Sequence, residues 1–348
     1  MTLIKRLQAY SWKDYLKAAG LLGLFIVYGY FLFRHLGFRP FIDWDESIYA
    51  EVAKEALRSH HFFSFTLYGV PWFEKPPLMI WLTALGFKLF GVNEFGGRFF
   101  VPVFSLGTIT LTLLLVKKLR SGYLAMFLTM LSFAVCYHFF FHSFFLEFDI
   151  PVGFFILLSL YGFLLALQRP KFFYLFFAGI ASGVLTKSVI GLLPVPIALL
   201  YSLLSRQWTY LKNKTFWLGA ALCAAVVVPW HIWESLKFGW AFWHSYLFYH
   251  VLERYATPLE HNGGPFNYYF PILTQNGAFA ILTLISSLYF AWRGLKRRAY
   301  WLPLVAAVFI FLFFSSAQTK GYGYIVVVYP YLLAMFGITL ADLFEKSP

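Results

Sequence analysis

The sequence predicts an all-α polytopic membrane protein with about ten transmembrane helices, and three observations carry that prediction. Of 348 residues, 60% are hydrophobic and only 12% are charged, with 44 Phe; so much apolar surface cannot be hidden in a water-soluble core and needs lipid as part of its solvent. The apolar residues fall in runs of roughly 17 to 25, the length at which a helix spans a bilayer. The basic residues behind the net charge of +13 lie in small clusters between those runs, as topology determinants do. They do not form the single patch that nucleic acid would require.

In chain order the runs cover residues 18–37, 98–117, 122–142, 150–168, 172–189, 190–205, 215–233, 271–292, 299–316 and 321–343. The first follows Lys5, Arg6, Lys13 and Lys17 and is not followed by a small-x-small cleavage pattern, so it reads as a retained helix. A further apolar stretch, Pro76 to Gly91, has only 16 residues and carries Lys88. Leaving it out places Lys117/Lys118/Arg120, Arg169/Lys171, Arg206/Lys212/Lys214, Arg293/Lys296/Arg297/Arg298 and Lys346 on the side of the basic N-terminus. Counting it as a crossing puts most of them outside, against the positive-inside rule. Residues 43–97 are therefore expected to be one long external loop with interfacial or re-entrant helices, and 234–270 a second long external loop. Residues 1–348 read as a single membrane domain with no internal repeat, and no soluble C-terminal domain is expected. Cys136 and Cys223 both lie in apolar runs, which supports neither a disulfide framework nor a cysteine zinc site.

The remaining ionisable residues collect at helix ends on the external side. In "FIDWDESIYAEVAKEALRSHH" three carboxylates, Asp43, Asp45 and Glu46, stand within four residues. Asp43 with Glu46 three positions on resembles a helix cap, which accounts for those two acids better than for the middle one. "PWFEKPPL" sets Glu74 and Lys75 before a Pro-Pro pair that favours extended chain. These two need not pair; they are either a solvated loop pair or a rigid presentation of one carboxylate and one ammonium. Asp149 in "LEFDIPVGFF" is either the N-cap of an apolar helix or an acid kept near hydrocarbon at a cost of about 2.5 kcal/mol or more. Lys187 and Lys320, at two helix entrances, are either snorkelling residues or cations of a site. His244, His250, Glu253, Arg254, Glu260 and His261 crowd the second long loop, where their spacing matches no closed zinc motif. Taken together, acids (Asp45, Glu74, Asp149) and bases (Lys75, Arg254, Lys320, with Lys187) recur on one side. An outward-facing cavity for a lipid phosphate and a hydroxyl would collect such groups.

The ordered pieces "DESIYAEVAKEAL", "GVPWFEKPPLMIWLTALGFKLFGVNEFGGR", "LEFDIPVGFFILLSL", "GVLTKSVIGLLP", "PWHIWESLKFGWAFWHSYLFYHVLERY" with "HNGGPFNYY", and "SAQTKGYGYIVVVYPYLLAMFG" carry a resemblance. They are similar to membrane glycosyltransferases of the GT-C type that use polyprenyl-phosphate sugars, especially lipid A aminoarabinose transferases and protein O-mannosyltransferases. The resemblance implies a GT-C-like fold and roles residue by residue. Asp45 matches the catalytic acid/base position of the first loop, with Glu46 and Tyr49 supporting it, and Asp149 matches the acid of the second external loop. Lys75, Arg254 and Lys320 match donor-phosphate positions. Glu74 and His261 match positions that resemble ligands of a divalent metal. The second loop reads LEFD rather than the family's LD-P form, which leaves Glu147 open beside Asp149. The implied activity is inverting transfer of a sugar from polyprenyl phosphate to a hydroxyl or phosphate on lipid A, glycan or protein, at the periplasmic face of the inner membrane. A transporter or lipid flippase is the rival reading; it expects ionisable groups at the bilayer midplane and broken helices there, whereas this sequence keeps its charges at helix ends.

Overall fold

The computed structural model describes residues 12–274 and 277–346 and is almost wholly helical. Lys5 and Arg6, and the side chains of Lys13 and Lys346, lie outside what is described. The principal helices are α1 Trp12–Arg34, α2 Asp45–Ser59, α3 Pro77–Phe90, α4 Phe100–Leu119, α5 Tyr123–Val135, α6 Asp149–Ala166, α7 Phe173–Lys187, α8 Pro194–Ser205, α9 Lys214–Phe238, α10 Gly277–Lys296, α11 Trp301–Ser316 and α12 Tyr329–Lys346. Among the described residues eight spans of 18 to 26 residues are long and apolar enough to cross a membrane, built on α1, α4, α6, α7, α9, α10, α11 and α12.

The two other expected crossings are shorter. Helix α5 has 13 residues and breaks at Cys136 before a short helix, Tyr137–His142; α8 has 12 and follows a 3-10 turn, Ser188–Leu192. At 1.5 Å per residue each rises only about 18–20 Å, less than the roughly 30 Å hydrocarbon core. Helices α6 and α7 form the most extensive pair. Their close approach depends on Gly179, where an added Cβ would lie 2.8 Å from the Phe155 carbonyl oxygen.

The long segment 43–97 holds α2, α3 and a two-stranded antiparallel hairpin, β1 Phe65–Leu67 with β2 Val70–Trp72. Its turn residues, Tyr68 at φ 53° and Gly69 at φ 78°, give the left-handed pair that matches strand twist in a two-residue hairpin. The Glu55 carboxylate of α2 clamps that turn, accepting from Thr66 Oγ1 (2.5 Å), the Tyr68 amide (2.6 Å) and the Gly69 amide (3.4 Å). Burial raises the Glu55 carboxyl, but these hydrogen bonds and Lys54 outweigh it and hold it below its ordinary value.

Glu46 and Arg98 tie the segment down. Arg98 Nε and Nη2 donate to the two Glu46 oxygens (2.9 and 2.7 Å), and its remaining donors reach the carbonyls of Leu36, Arg39 and Pro40 (2.8, 2.8 and 2.9 Å). All five guanidinium donors are used. Glu46 also accepts from the amides of Ile42 (3.0 Å) and Leu146 (2.5 Å). One buried ion pair thus joins the end of α1, the start of α2, the approach to α4 and the turn before α6.

The opposite end of the bundle is basic. Arg120 pairs with Asp342 (2.5 Å) and Glu345, Arg297 donates to the Leu119 carbonyl (2.5 Å), and Lys118 donates to Gln168 (2.6 Å). Clusters from three separate loops meet there, as the charge pattern predicts for one side of a membrane.

Candidate active site

The site lies at the end that carries α2, opposite the basic face. Asp45 is the first residue of α2, with an exposed side chain and, among the described residues, no hydrogen bond or ion pair. The preceding residue, Trp44, sits at φ 82°, a region that costs a non-glycine residue about 1–3 kcal/mol and concentrates at functional sites. Trp44 is also the N-cap, with no side-chain cap bond. Asp43 therefore does not cap the helix as the sequence suggests. Glu46 is the acid that reaches back, to Ile42, and its main partner is Arg98.

One turn on, Tyr49 is buried, stacked on Phe148 (4.3 Å) and edge-on to Trp72 (6.1 Å). Burial pushes its phenol well up, and the nearby charges of Asp45, Glu74 and Asp149 push it further. The Lys75 ammonium stands 5.7 Å from the Tyr49 ring centroid and 3.6 Å from the Glu74 carboxylate. The chain bends at Glu74 and Lys75 instead of continuing extended, so the two side chains meet. Burial lowers the Lys75 ammonium; Glu74 and Asp45 oppose that shift, while Lys187 and Arg254 add to it.

Asp149 opens α6 and is buried, its Oδ1 2.6 Å from Lys187 Nζ at the end of α7. The acid at this helix head is thus neutralised by a partner 38 positions away. Glu147 turns elsewhere, accepting from His142 Nδ1 (2.6 Å). Lys187 also lies over the Tyr324 ring (4.6 Å), and the Tyr324 hydroxyl accepts from Arg254 Nη1 (3.1 Å). Arg254 Nη2 pairs with Glu260 (2.7 Å), while its Nε is buried without a partner among the described residues.

Arg254 and His250 are positioned by an unusual element, a ten-residue π-helix at His244–Glu253, a form rare elsewhere and frequent at functional sites. His250 is driven down to about 3, by burial first and then by Lys75 and Arg254. It is neutral at pH 7, and its Nδ1 is buried without a partner among the described residues. The sequence counted Lys187 among the bases without giving it a role, named His250 only as one of a crowded loop, and did not single out Tyr324. Their only signals were a lysine closing an apolar run and polar tips scattered among aromatics.

Two expected residues do not join the cluster. Lys320 donates to the carbonyls of Phe314 (3.2 Å) and Ser315 (2.6 Å), satisfying the end of α11, and burial lowers its ammonium. It serves as a helix cap. His261 is exposed in a turn at φ 58°, and Glu74 is turned to Lys75. Among the described residues no three His, Cys, Asp or Glu side chains come together to hold a metal ion. The Glu74–His261 pair does not fit a divalent metal centre.

The architecture, with a carboxylate-bearing helix in a long first loop and cations facing it from later loops, is the GT-C fold of membrane glycosyltransferases that use polyprenyl-phosphate sugars. The chain is an integral membrane protein of that fold. It is similar along 94% of its length to the ArnT structure of Cupriavidus metallidurans bound to undecaprenyl phosphate, with a TM-score of 0.79, 24% identity and 60% of that chain covered. It also matches an oligosaccharyltransferase of Archaeoglobus fulgidus over 96% of its length and 50% of that chain, with a TM-score of 0.66 and 15% identity. Residues 74–233 match the family described as dolichyl-phosphate-mannose-protein mannosyltransferase. In sequence the chain is 32% identical over 303 residues to a protein of Aquifex aeolicus, covering 86% of this chain and 59% of that one. It is 27% identical over 335 residues to undecaprenyl phosphate-alpha-4-amino-4-deoxy-L-arabinose arabinosyl transferase 1 of Pseudomonas fluorescens, covering 92% and 59%. The chain thus spans about three-fifths of the length of these relatives. The named relatives are transferases, and nothing among them speaks for the transporter or flippase reading.

Proposed function

We propose that the protein transfers a sugar from a polyprenyl phosphate to a hydroxyl or phosphate acceptor on lipid A, glycan or protein, at the periplasmic face of the inner membrane. One observation carries the reading: Asp45, a carboxylate without a protein partner among the described residues, is held with the Lys75 and Arg254 cations at one end of the bundle. In a polyprenyl-phosphate sugar the leaving group is already an anionic phosphate, so its departure needs charge stabilisation and no general acid. Lys75 and Arg254 supply that charge. The acceptor hydroxyl is a weak nucleophile; Asp45 accepts its proton as the bond to the anomeric carbon forms from the opposite side, inverting that centre. Asp149, already paired with Lys187, holds the cation cluster in place. The neutral imidazole of His250 can accept or donate a hydrogen bond to the donor headgroup without adding to the positive charge. Helices α2 and α3 and the hairpin wall the site and exclude water that would hydrolyse the donor.

The resemblance of fold and sequence to undecaprenyl-phosphate-dependent transferases supports the donor class. The test is transfer from undecaprenyl-phosphate sugars in proteoliposomes. Asp45→Asn should lower the rate about 10²- to 10⁴-fold, the usual contribution of a general base, with the protein still folded; full activity in that variant would refute the assignment of the base.

A further inference from the structure

On the far side of the Glu46–Arg98 pair from Asp45, the structure contains a cavity of about 260 Å³ that none of the candidate site residues lines. It opens where α1 leaves the membrane, between the chain after Arg34 and the short helix Tyr137–His142 with the loop that follows. Its apolar wall is aromatic, with Tyr137, Phe141 and Phe144 partly or fully open to the surroundings. Its polar wall is made by His35, Arg39 and Arg98.

The charges at the mouth are of one sign. Arg98 is neutralised by Glu46 and has no donor left for a ligand, whereas Arg39 and His35 are exposed and form no ion pair among the described residues. No carboxylate lines the cavity. An exposed arginine with no acid to meet it, above an aromatic cleft at the outer membrane boundary, complements a molecule with a phosphate beside hydrocarbon. The volume is below the usual range for a whole small-molecule pocket. It suits the glycerol phosphate and first carbons of a lipid whose chains remain in the bilayer.

We propose that this cleft is a binding site for one anionic phospholipid of the outer leaflet, its phosphate at Arg39 with His35 beside it and the head of its chains against Tyr137, Phe141 and Phe144. The site is separate from the sugar-transfer centre and does not depend on what that centre does.

The test is native mass spectrometry of the full chain in detergent, titrated with phosphatidylglycerol or phosphatidylcholine of identical acyl chains. Wild type should hold one phosphatidylglycerol about fivefold more tightly, the value of one basic residue near an anionic headgroup. Arg39→Gln combined with His35→Gln should bring the two lipids to parity. Phe141→Ala combined with Phe144→Ala should weaken both lipids alike and keep the preference between them. Lys296→Gln, at the opposite end of the bundle, controls for general charge and should change nothing. Parity in wild type, or a preference that survives the Arg39/His35 change, overturns the proposal. Displacement of the bound phosphatidylglycerol by inorganic phosphate at equal concentration overturns the lipid as occupant and leaves a free anion in its place.

Discussion

Two adjacent acids at the start of α2 have opposite circumstances, and substituting each separates catalysis from folding. Glu46→Ala leaves the Arg98 charge buried and unpaired, at a cost of about 3–5 kcal/mol; thermal unfolding in detergent should show a large loss for this variant and none for Asp45→Asn. The cations divide in the same way. Lys75→Gln should lower kcat/KM for donor about 10- to 100-fold through loss of a charged hydrogen bond, whereas Lys320→Met should reduce the melting temperature and leave the donor KM alone. The sequence could mark Asp45 as the acid that capping leaves over, but it could not find the partner of Glu46, because Arg98 lies 52 positions away. Lys320 misled for the opposite reason. Its partners are carbonyl oxygens five and six residues back, and main-chain acceptors leave no mark in a sequence.

At the scale of elements, the hairpin is the part that loop composition concealed. Strands of three residues are too short to show alternation, and Tyr-Gly is a weak turn signal beside Asn-Gly. Its clamp should be titratable. Glu55 is lowered in the folded protein, so its stabilising contribution is complete above the unfolded value of about 4.3 and is lost as the pH falls through the lower folded value. Hydrogen exchange of the amides of residues 65–72, corrected for intrinsic rate, should quicken in Glu55→Gln at neutral pH and in the wild type only in acid. The long helices were legible because 18 or more apolar residues have few alternatives. The shortening of α5 was not, since its break falls at Cys136, a residue that does not end helices by its own chemistry, whereas the late start of α8 had a signal in Pro194 at its first position.

For the whole molecule, the gathering of basic residues at the end opposite α2 was the most legible property, and the positive-inside rule turns it into an expected orientation. In a background with Cys136 and Cys223 replaced by alanine, Tyr68→Cys should react with a membrane-impermeant thiol reagent added outside, and Arg169→Cys only after permeabilisation; the reverse pattern would invert the orientation. The arrangement of loops above the bundle was less legible, and one cause is the π-helix at residues 244–253. An α-helix turns about 100° per residue, so a segment wound more loosely acts as a phase setter for the chain beyond it. Taking out one residue would let the segment tighten to ordinary helix and deliver Arg254 about a quarter-turn away from Tyr324. The number of residues in that segment, more than their identity, sets the direction in which the second long loop faces. Aromatic exchanges within it preserve that direction, whereas a chain one residue shorter would contain every residue of the site and no longer assemble it.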